Sequence, residues 1–264
     1  MRVALAYLRR DFLVWSSYRL SAFWQIAGVL GLAAMIYFIG QAVGERSTVI
    51  SQEDGSYAAF ALAGLTFFDV LFRGLGTLSA AVSDHQRAGT LEHLLLPPVK
   101  DSELLVSLCL FPLCMSLMRT AVFLTFGFAV LGFWGSANPL SVLAVLIPAQ
   151  LTFLGIGALS AASVLLLKQG DPIRLAYSVA MLGLSGTFFP VHAMPRWLQV
   201  VAALFPLTYA LSGIREALDG GTLIDVGPQV LLLTTLALVL VPLGFFAFGG
   251  AVRRAKQEGS LVEY

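Results

Sequence analysis

The stretch from Leu140 to Leu167 carries no charged residue, and neither does the stretch from Pro228 to Gly250. A hydrocarbon layer offers no water to backbone N–H and C=O groups, and a helix of about 20 apolar residues satisfies them internally while it crosses. Runs of this length restrict the chain to an all-α polytopic membrane fold. Composition agrees. Only 12% of residues are charged and 58% are hydrophobic, whereas a soluble domain has about 25% charged residues.

Six transmembrane helices are expected, at about Leu20–Ala42, Tyr57–Val82, Glu103–Trp134, Leu140–Leu167, Pro172–Phe189 and Pro228–Gly250. Pro112 is placed to kink the third, and Pro172 suits the first turn of the fifth. Residues 1–19 place Leu5, Leu8, Phe12 and Trp15 on one helical face among Arg2, Arg9, Arg10 and Arg19, the pattern of an interfacial helix. Six spans put both termini on one side. Arg2, Arg9, Arg10, Arg19, Arg87, Lys100, Lys168, Arg174, Arg253, Arg254 and Lys256 fall on that side, against Arg46, Arg196 and Arg215 on the other. Cytoplasmic loops carry the excess of Lys and Arg, so both termini are expected in the cytoplasm.

Residues 190–227, on the outer side, are not a polar loop. PRWLQVVAALF (195–205) and PLTYALSGIREAL (206–218) are apolar, each opens on a proline, and each is too short to span. Segments of this length are re-entrant or interfacial. Two half-helices dipping into the outer leaflet would form a plug or exit gate; the other reading is a pair of helices lying flat on the surface. Within the spans, Asp69 and Arg73 share one face of the second helix and Arg119 lies in the third. Ionisable groups at membrane depth face a cavity or a partner. They either line a polar path or lock two helices together. Alternatively Asp69 and Arg73 neutralise each other while Arg119 extends outward.

Residues 84–105, DHQRAGTLEHLLLPPVKDSELL, are a polar interval between spans. A helix over Asp84–Leu96 would carry Ala88, Leu91, Leu94 and Leu95 on one face. Ser83 or Asp84 could cap it, and Pro97-Pro98 would end it. It is either a handle gripped from the cytoplasm or a solvated loop. Catalytic chemistry has no evident seat. No His/Cys/carboxylate cluster has metal-ligand spacing, and no G-x-S-x-G nucleophile motif is present. Lys100, Lys168 and Lys256 follow Val99, Leu167 and Ala255, so none belongs to a phosphate-binding loop. Cys109 and Cys114 sit on different faces of one apolar helix, as packing residues. The chain alone is not expected to be an enzyme.

AGTLEHLLLPPVKDSELL (88–105) resembles the Gly-Thr-Leu-Glu…Leu-Leu…Pro segment of type-2 ATP-binding-cassette (ABC) exporter permeases. SGTFFPVHAMPRWLQVVAALFPLTYALSGIREAL (185–218) is similar to the C-terminal signature of the same family, with Phe-Phe-Pro, Met-Pro and Pro-Leu-Thr-Tyr in order around a re-entrant outer hairpin. Pro97-Pro98 and Phe205 depart from the residues most common there. The resemblance covers the whole chain and implies a single type-2 transmembrane domain over 1–264 in a bacterial or archaeal cytoplasmic membrane. It implies a second permease subunit, identical or not, two cytoplasmic ATPase subunits that bind ATP and Mg, and contact with membrane lipids but not nucleic acid. No cofactor is expected in this chain itself. The helix at 84–96 would be the coupling helix, with Arg87, Gly89, Thr90, Leu91, Glu92 and Leu95 at the ATPase. Phe188, Phe189, Pro190, Pro206 and Tyr209 would form or support the exit gate. The implied cargo is an amphiphile: a drug, a lipid or a lipid-linked glycan. Two other classes compete with this reading. One is an ion-coupled secondary transporter using Asp69, Arg73 and Arg119; the other is an intramembrane scaffold or enzyme.

Overall fold

A computed structural model describes residues 2–17, 57–87, 101–129, 136–167, 171–188 and 190–257, together with single helical positions between 23 and 38. The described residues form helices and no strand: α1 (Arg2–Ser17), α2 (Tyr57–Arg87), α3 (Asp101–Ala129), α4 (Pro139–Leu167), α5 (Pro172–Leu184), α6 (Arg196–Ala202), α7 (Pro206–Leu218) and α8 (Gly227–Gln257), with a 3-10 turn at Val191–Ala193.

The uncharged run around Leu140–Leu167 becomes the axis, α4. Its first turn is closed by Asn138, whose Oδ1 accepts from the Leu140 and Ser141 N–H groups at 3.2 and 3.3 Å. This satisfies two of the four N–H groups that a helix start leaves open. Most of α4 is buried, because α2, α7 and α8 pack around it. Glycines set how close they come. A Cβ on Gly155 would stand 2.6 Å from the Leu240 carbonyl carbon of α8, and one on Gly157 would stand 2.6 Å from the Leu75 oxygen of α2. Without hydrophobic drive between helices in lipid, such close backbone approach is what holds them together. Thr152 adds a tie, donating from Oγ1 to the Leu233 carbonyl of α8 at 3.0 Å. Phe67, Leu71 and Leu75 of α2 meet Leu146 and Phe153 of α4 and Leu211 and Ile214 of α7 in one fully buried cluster. α1 lies against α3.

Among the described residues, two helices are long and apolar enough to cross a membrane, α4 and α8, or three if the bent pair α6–α7 counts as one span. α8 is the more exposed of the two, with Leu231, Leu238, Val239 and Phe246 facing outward. Its start is closed by Thr222 and Asp225. The Thr222 N–H and hydroxyl both donate to Asp225 Oδ2 at 2.7 Å, the reciprocal half of a capping box. Those two bonds hold the Asp225 carboxyl below its usual range. The stabilisation is present above the ordinary carboxylate pKa and is lost as pH falls through the lowered one.

Three boundaries differ from the sequence reading. The second span was expected to end near Val82, with a new helix capped at Ser83 or Asp84. Instead α2 continues unbroken to Arg87. Gln86 explains part of this, since it is buried with its amide turned to the Val164 carbonyl of α4 at 3.5 Å. The fifth span was expected to reach Phe189, but α5 ends at Leu184. Ser185 caps it through its N–H to Met181, and Gly186 takes φ 81. Only glycine adopts that left-handed turn at no steric cost. The sixth span extends past Gly250 to Gln257. Of the first span, Phe23, Trp24, Ala27, Gly28, Gly31, Ala34, Met35 and Phe38 are described, all helical.

Candidate functional site

Asp69, Arg73 and Arg119 come together where α2 crosses α3. Arg73 Nε donates to Asp69 Oδ2 at 2.9 Å, and Arg119 Nη1 stands 3.6 Å from the same oxygen. The two pairings that the sequence left as alternatives therefore coexist on one carboxylate. Arg119 does not extend outward: its side chain is 10% exposed, against 31% for Asp69 and 55% for Arg73. The helical spacing of four residues turns Asp69 and Arg73 to one side of α2, and α3 brings Arg119 to it from beside them.

Gln150 extends this polar centre to α4. Its Nε2 donates to Ser116 Oγ of α3 at 3.0 Å and approaches the Val70 carbonyl of α2 at 3.4 Å. Gly74 makes room, since a Cβ there would meet Gln150 Oε1 at 2.6 Å. Three helices are thus joined by side-chain polarity at one level. Gln150 was missed in the sequence, although it is the single amide in the α4 run, and an amide in hydrocarbon must find a partner.

Beside the charges runs an aromatic row. Phe68 and Phe72, one turn apart on α2, stack at 5.6 Å with an interplanar angle of 6°. Arg174 of α5 lies over the Phe72 ring, 5.4 Å from its centroid. The guanidinium also covers Gly76, where a Cβ would lie 3.1 Å from Arg174 Cζ. Arg174 is placed by the start of α5: Asp171 Oδ1 accepts from the Arg174 N–H at 3.0 Å and from Ser160 Oγ of α4 at 2.5 Å.

The second locus is the hairpin. α6 and α7 meet at 91°. Pro206 starts α7 and is buried. Tyr209 donates its hydroxyl to the Ala203 carbonyl at 2.9 Å, so it braces the bend between the two helices. Phe205 packs on Tyr177 of α5 at 5.4 Å. The Asn138 N–H donates to the Ala217 carbonyl at 2.9 Å, fixing the far end of α7 to the head of α4. Phe188 and Pro190 follow the end of α5, both half-buried. Phe189 lies outside the described residues.

The strongest tie of the hairpin was not foreseen. Arg215, counted from sequence only as an outer-side charge within the half-helix 206–218, lies on α7 and reaches into α2. Its Cζ sits 3.5 Å from the Phe60 ring centroid. Nη2 donates to the Gly186 carbonyl at 2.9 Å, to Thr187 at 3.3 Å and to Phe60 at 3.4 Å. Gly64 gives it passage: a Cβ there would lie 2.2 Å from the Thr187 oxygen and 2.7 Å from Arg215 Nη2. This also accounts for the short α5, because a guanidinium occupies the carbonyls of residues just past its end. The signal available in the sequence was an arginine on the buried side of an apolar half-helix, one residue after Ile214 and two before Ala217.

Of the residues expected at an ATPase contact, Arg87 is the exposed last residue of α2. Gly89, Thr90, Leu91, Glu92 and Leu95 lie outside the described residues.

Residues 3–218 match the family model described as ABC-2 type transporter. The chain is 25% identical over 179 residues to the linearmycin resistance permease protein LnrN of Bacillus subtilis strain 168, a match covering 67% of this chain and 46% of that protein. It is 29% identical over 167 residues to the putative transport permease ycf38 of Porphyra purpurea, covering 61% of this chain and 55% of that protein. The chain thus spans about half the length of these two relatives.

Proposed function

Because the chain belongs to the ABC-2 type transporter family, we propose that it is the membrane-spanning permease subunit of an exporter driven by a separate ATPase. The observation that carries the reading is the pair α6–α7, bent by 91° and tied to the N-terminal end of α2 through Arg215. A bent apolar pair of this kind suits a re-entrant gate at the exit of a pathway, formed or supported by Phe188, Phe189, Pro190, Pro206 and Tyr209.

In this proposal the chain is one transmembrane domain of six spans with both termini in the cytoplasm, and α1 lies at the inner interface. A second permease copy or sister chain completes the pathway. Two ATPase subunits bind ATP and Mg beneath it. Residues 84–96 meet the ATPase, and Asp69, Arg73 and Arg119 face the path. α2 then connects the two ends of the machine, since it runs from the ATPase contact to the Arg215 tie. An amphiphilic cargo suits the apolar surroundings of the polar centre. The relative named for linearmycin resistance supports outward transport of a toxic compound.

The test addresses the coupling stretch. Glu92→Arg and Gly89→Trp are expected to release the ATPase, or to leave ATP hydrolysis running without transport, while the permease remains folded by size-exclusion chromatography. Normal transport by both variants with the ATPase bound would place the coupling contact elsewhere.

A further inference from the structure

Arg73 sits at the middle of α2. At 1.5 Å per residue it lies roughly 21 Å from Arg87 and roughly 24 Å from Tyr57 along the helix axis. A guanidinium at that depth faces water or a partner rather than lipid. Yet its side chain is 55% exposed on the surface of the single chain. Among the described residues the charges around it do not cancel. Arg73 on α2, Arg119 on α3 and Arg174 on α5 lie at this part of α2, and among the described residues the carboxylates at hand are Asp69 and Asp171. Asp69 takes two of the guanidiniums. Asp171 is committed to Ser160 and to the backbone N–H of residue 174, not to a guanidinium.

The apolar component lies on the neighbouring stripe of the same helix. Phe68 and Phe72 are stacked and half-buried, and Arg174 covers the face of Phe72. Among the described residues, one side of α2 therefore presents an excess of positive charge next to an aromatic row. A guanidinium binds carboxylate and phosphate oxygens through paired N–H groups, and it stacks on rings as well.

We propose that Arg73 and Arg174 form a station for the anionic headgroup of the transported amphiphile, with Phe68 and Phe72 receiving the apolar part next to it. The inference rests on the exporter reading above and adds the sign of the cargo's charge. Asp69 holds Arg73 in place and lowers the net charge, so that binding stays weak enough for release. Arg119 is the inner counter-charge that fixes Asp69.

The experiment uses the permease with its ATPase in nanodiscs of zwitterionic lipid. Four soluble probes are added: a short-chain phosphatidic acid, a fatty acid, a phosphatidylcholine and a diacyl trimethylammonium lipid, the diacyl probes matched in chain length. The phosphatidic acid and the fatty acid are expected to stimulate ATP hydrolysis several-fold at concentrations where the other two do not. Stimulation by phosphatidic acid alone assigns the site to phosphate headgroups, and stimulation by both assigns it to anions in general. Arg73→Glu is expected to abolish the preference or shift it toward the cationic probe, and Arg73→Lys to retain part of it. Arg174→Gln is the second variant, at the rim of the site, should Arg73→Glu not assemble; it is expected to weaken anion stimulation. Equal responses to all four probes, or an anion preference that survives both Arg73→Glu and Arg174→Gln, would overturn the proposal and leave the exporter reading standing. A chain that neither binds an ATPase nor responds to ATP would remove both.

Discussion

Arg215→Ala is expected to destabilise the protein by on the order of 3 kcal/mol and to abolish transport. The guanidinium donates to three backbone carbonyls on two separate segments and stacks on Phe60. Hydrogen bonds from a charged group contribute about 1.5–3 kcal/mol each, and a desolvated cation–π contact contributes about 2 kcal/mol. These terms are not additive, and Arg215 is only partly buried, so the sum is discounted. Alanine would leave the Gly186 and Thr187 carbonyls beyond the end of α5 without their donor. The measurement is thermal unfolding of the purified chain in detergent, alongside transport in vesicles. Arg215→Lys is the sharper variant. A single ammonium cannot span these carbonyls and lie flat on Phe60 together, so lysine should recover part of the stability and little of the transport. Full recovery of both by lysine would mean that Arg215 supplies charge alone.

Asp69→Asn is expected to have the next largest effect. One carboxylate oxygen faces two guanidiniums, one of them buried. Removing the negative charge leaves Arg73 and Arg119 repelling each other across a partly buried site. Breaking a buried ion pair by deleting one partner costs about 3–5 kcal/mol; with Asp69 and Arg73 partly exposed, about 2 kcal/mol is the expected loss here. Transport should fall at least tenfold, as read by efflux from cells or vesicles. If the three residues line the path, the amount of folded protein in the membrane stays near wild type while transport falls. If they serve only to lock α2 to α3, folded protein and transport decline together. The double variant Asp69→Asn, Arg119→Gln separates these further, because it restores neutrality of the buried part without restoring the site. Recovered folding without recovered transport supports the path.

The parts of this molecule legible in its sequence are those set by local rules. The α4 span is one, because its start is written by Asn138-Pro139 and its length by an unbroken apolar run. The start of α5 is another, with Pro172 in the first turn; Asp171, which caps it, was not singled out. The bent pair was legible because two prolines precede two apolar segments, each too short to cross. Asp69, Arg73 and Arg119 could be listed from their cost in lipid, but whether Arg119 meets Asp69 or extends outward was left open, and the structure brings it to the carboxylate.

What could not be read depended on tertiary partners. Whether α2 stops at Val82 or continues to Arg87 depends on Gln86 finding α4. Where α5 ends depends on Arg215, which arrives from a different helix. The roles of Gly64, Gly155 and Gly157 follow from which backbone each one meets; in the sequence they are indistinguishable from Gly183, which meets nothing. Arg174 was counted only as a cytoplasmic charge, although its ring partner on α2 places it well along that helix.

The most direct test of the account is transport by purified components. The permease is reconstituted in liposomes with and without its ATPase, and movement of a fluorescent amphiphile is followed with and without ATP. The account predicts movement only when both ATPase and ATP are present, and none with a hydrolysis-deficient ATPase. Transport by the isolated chain without ATP, driven by an ion gradient, would contradict it and would assign the Asp69 cluster to ion coupling instead.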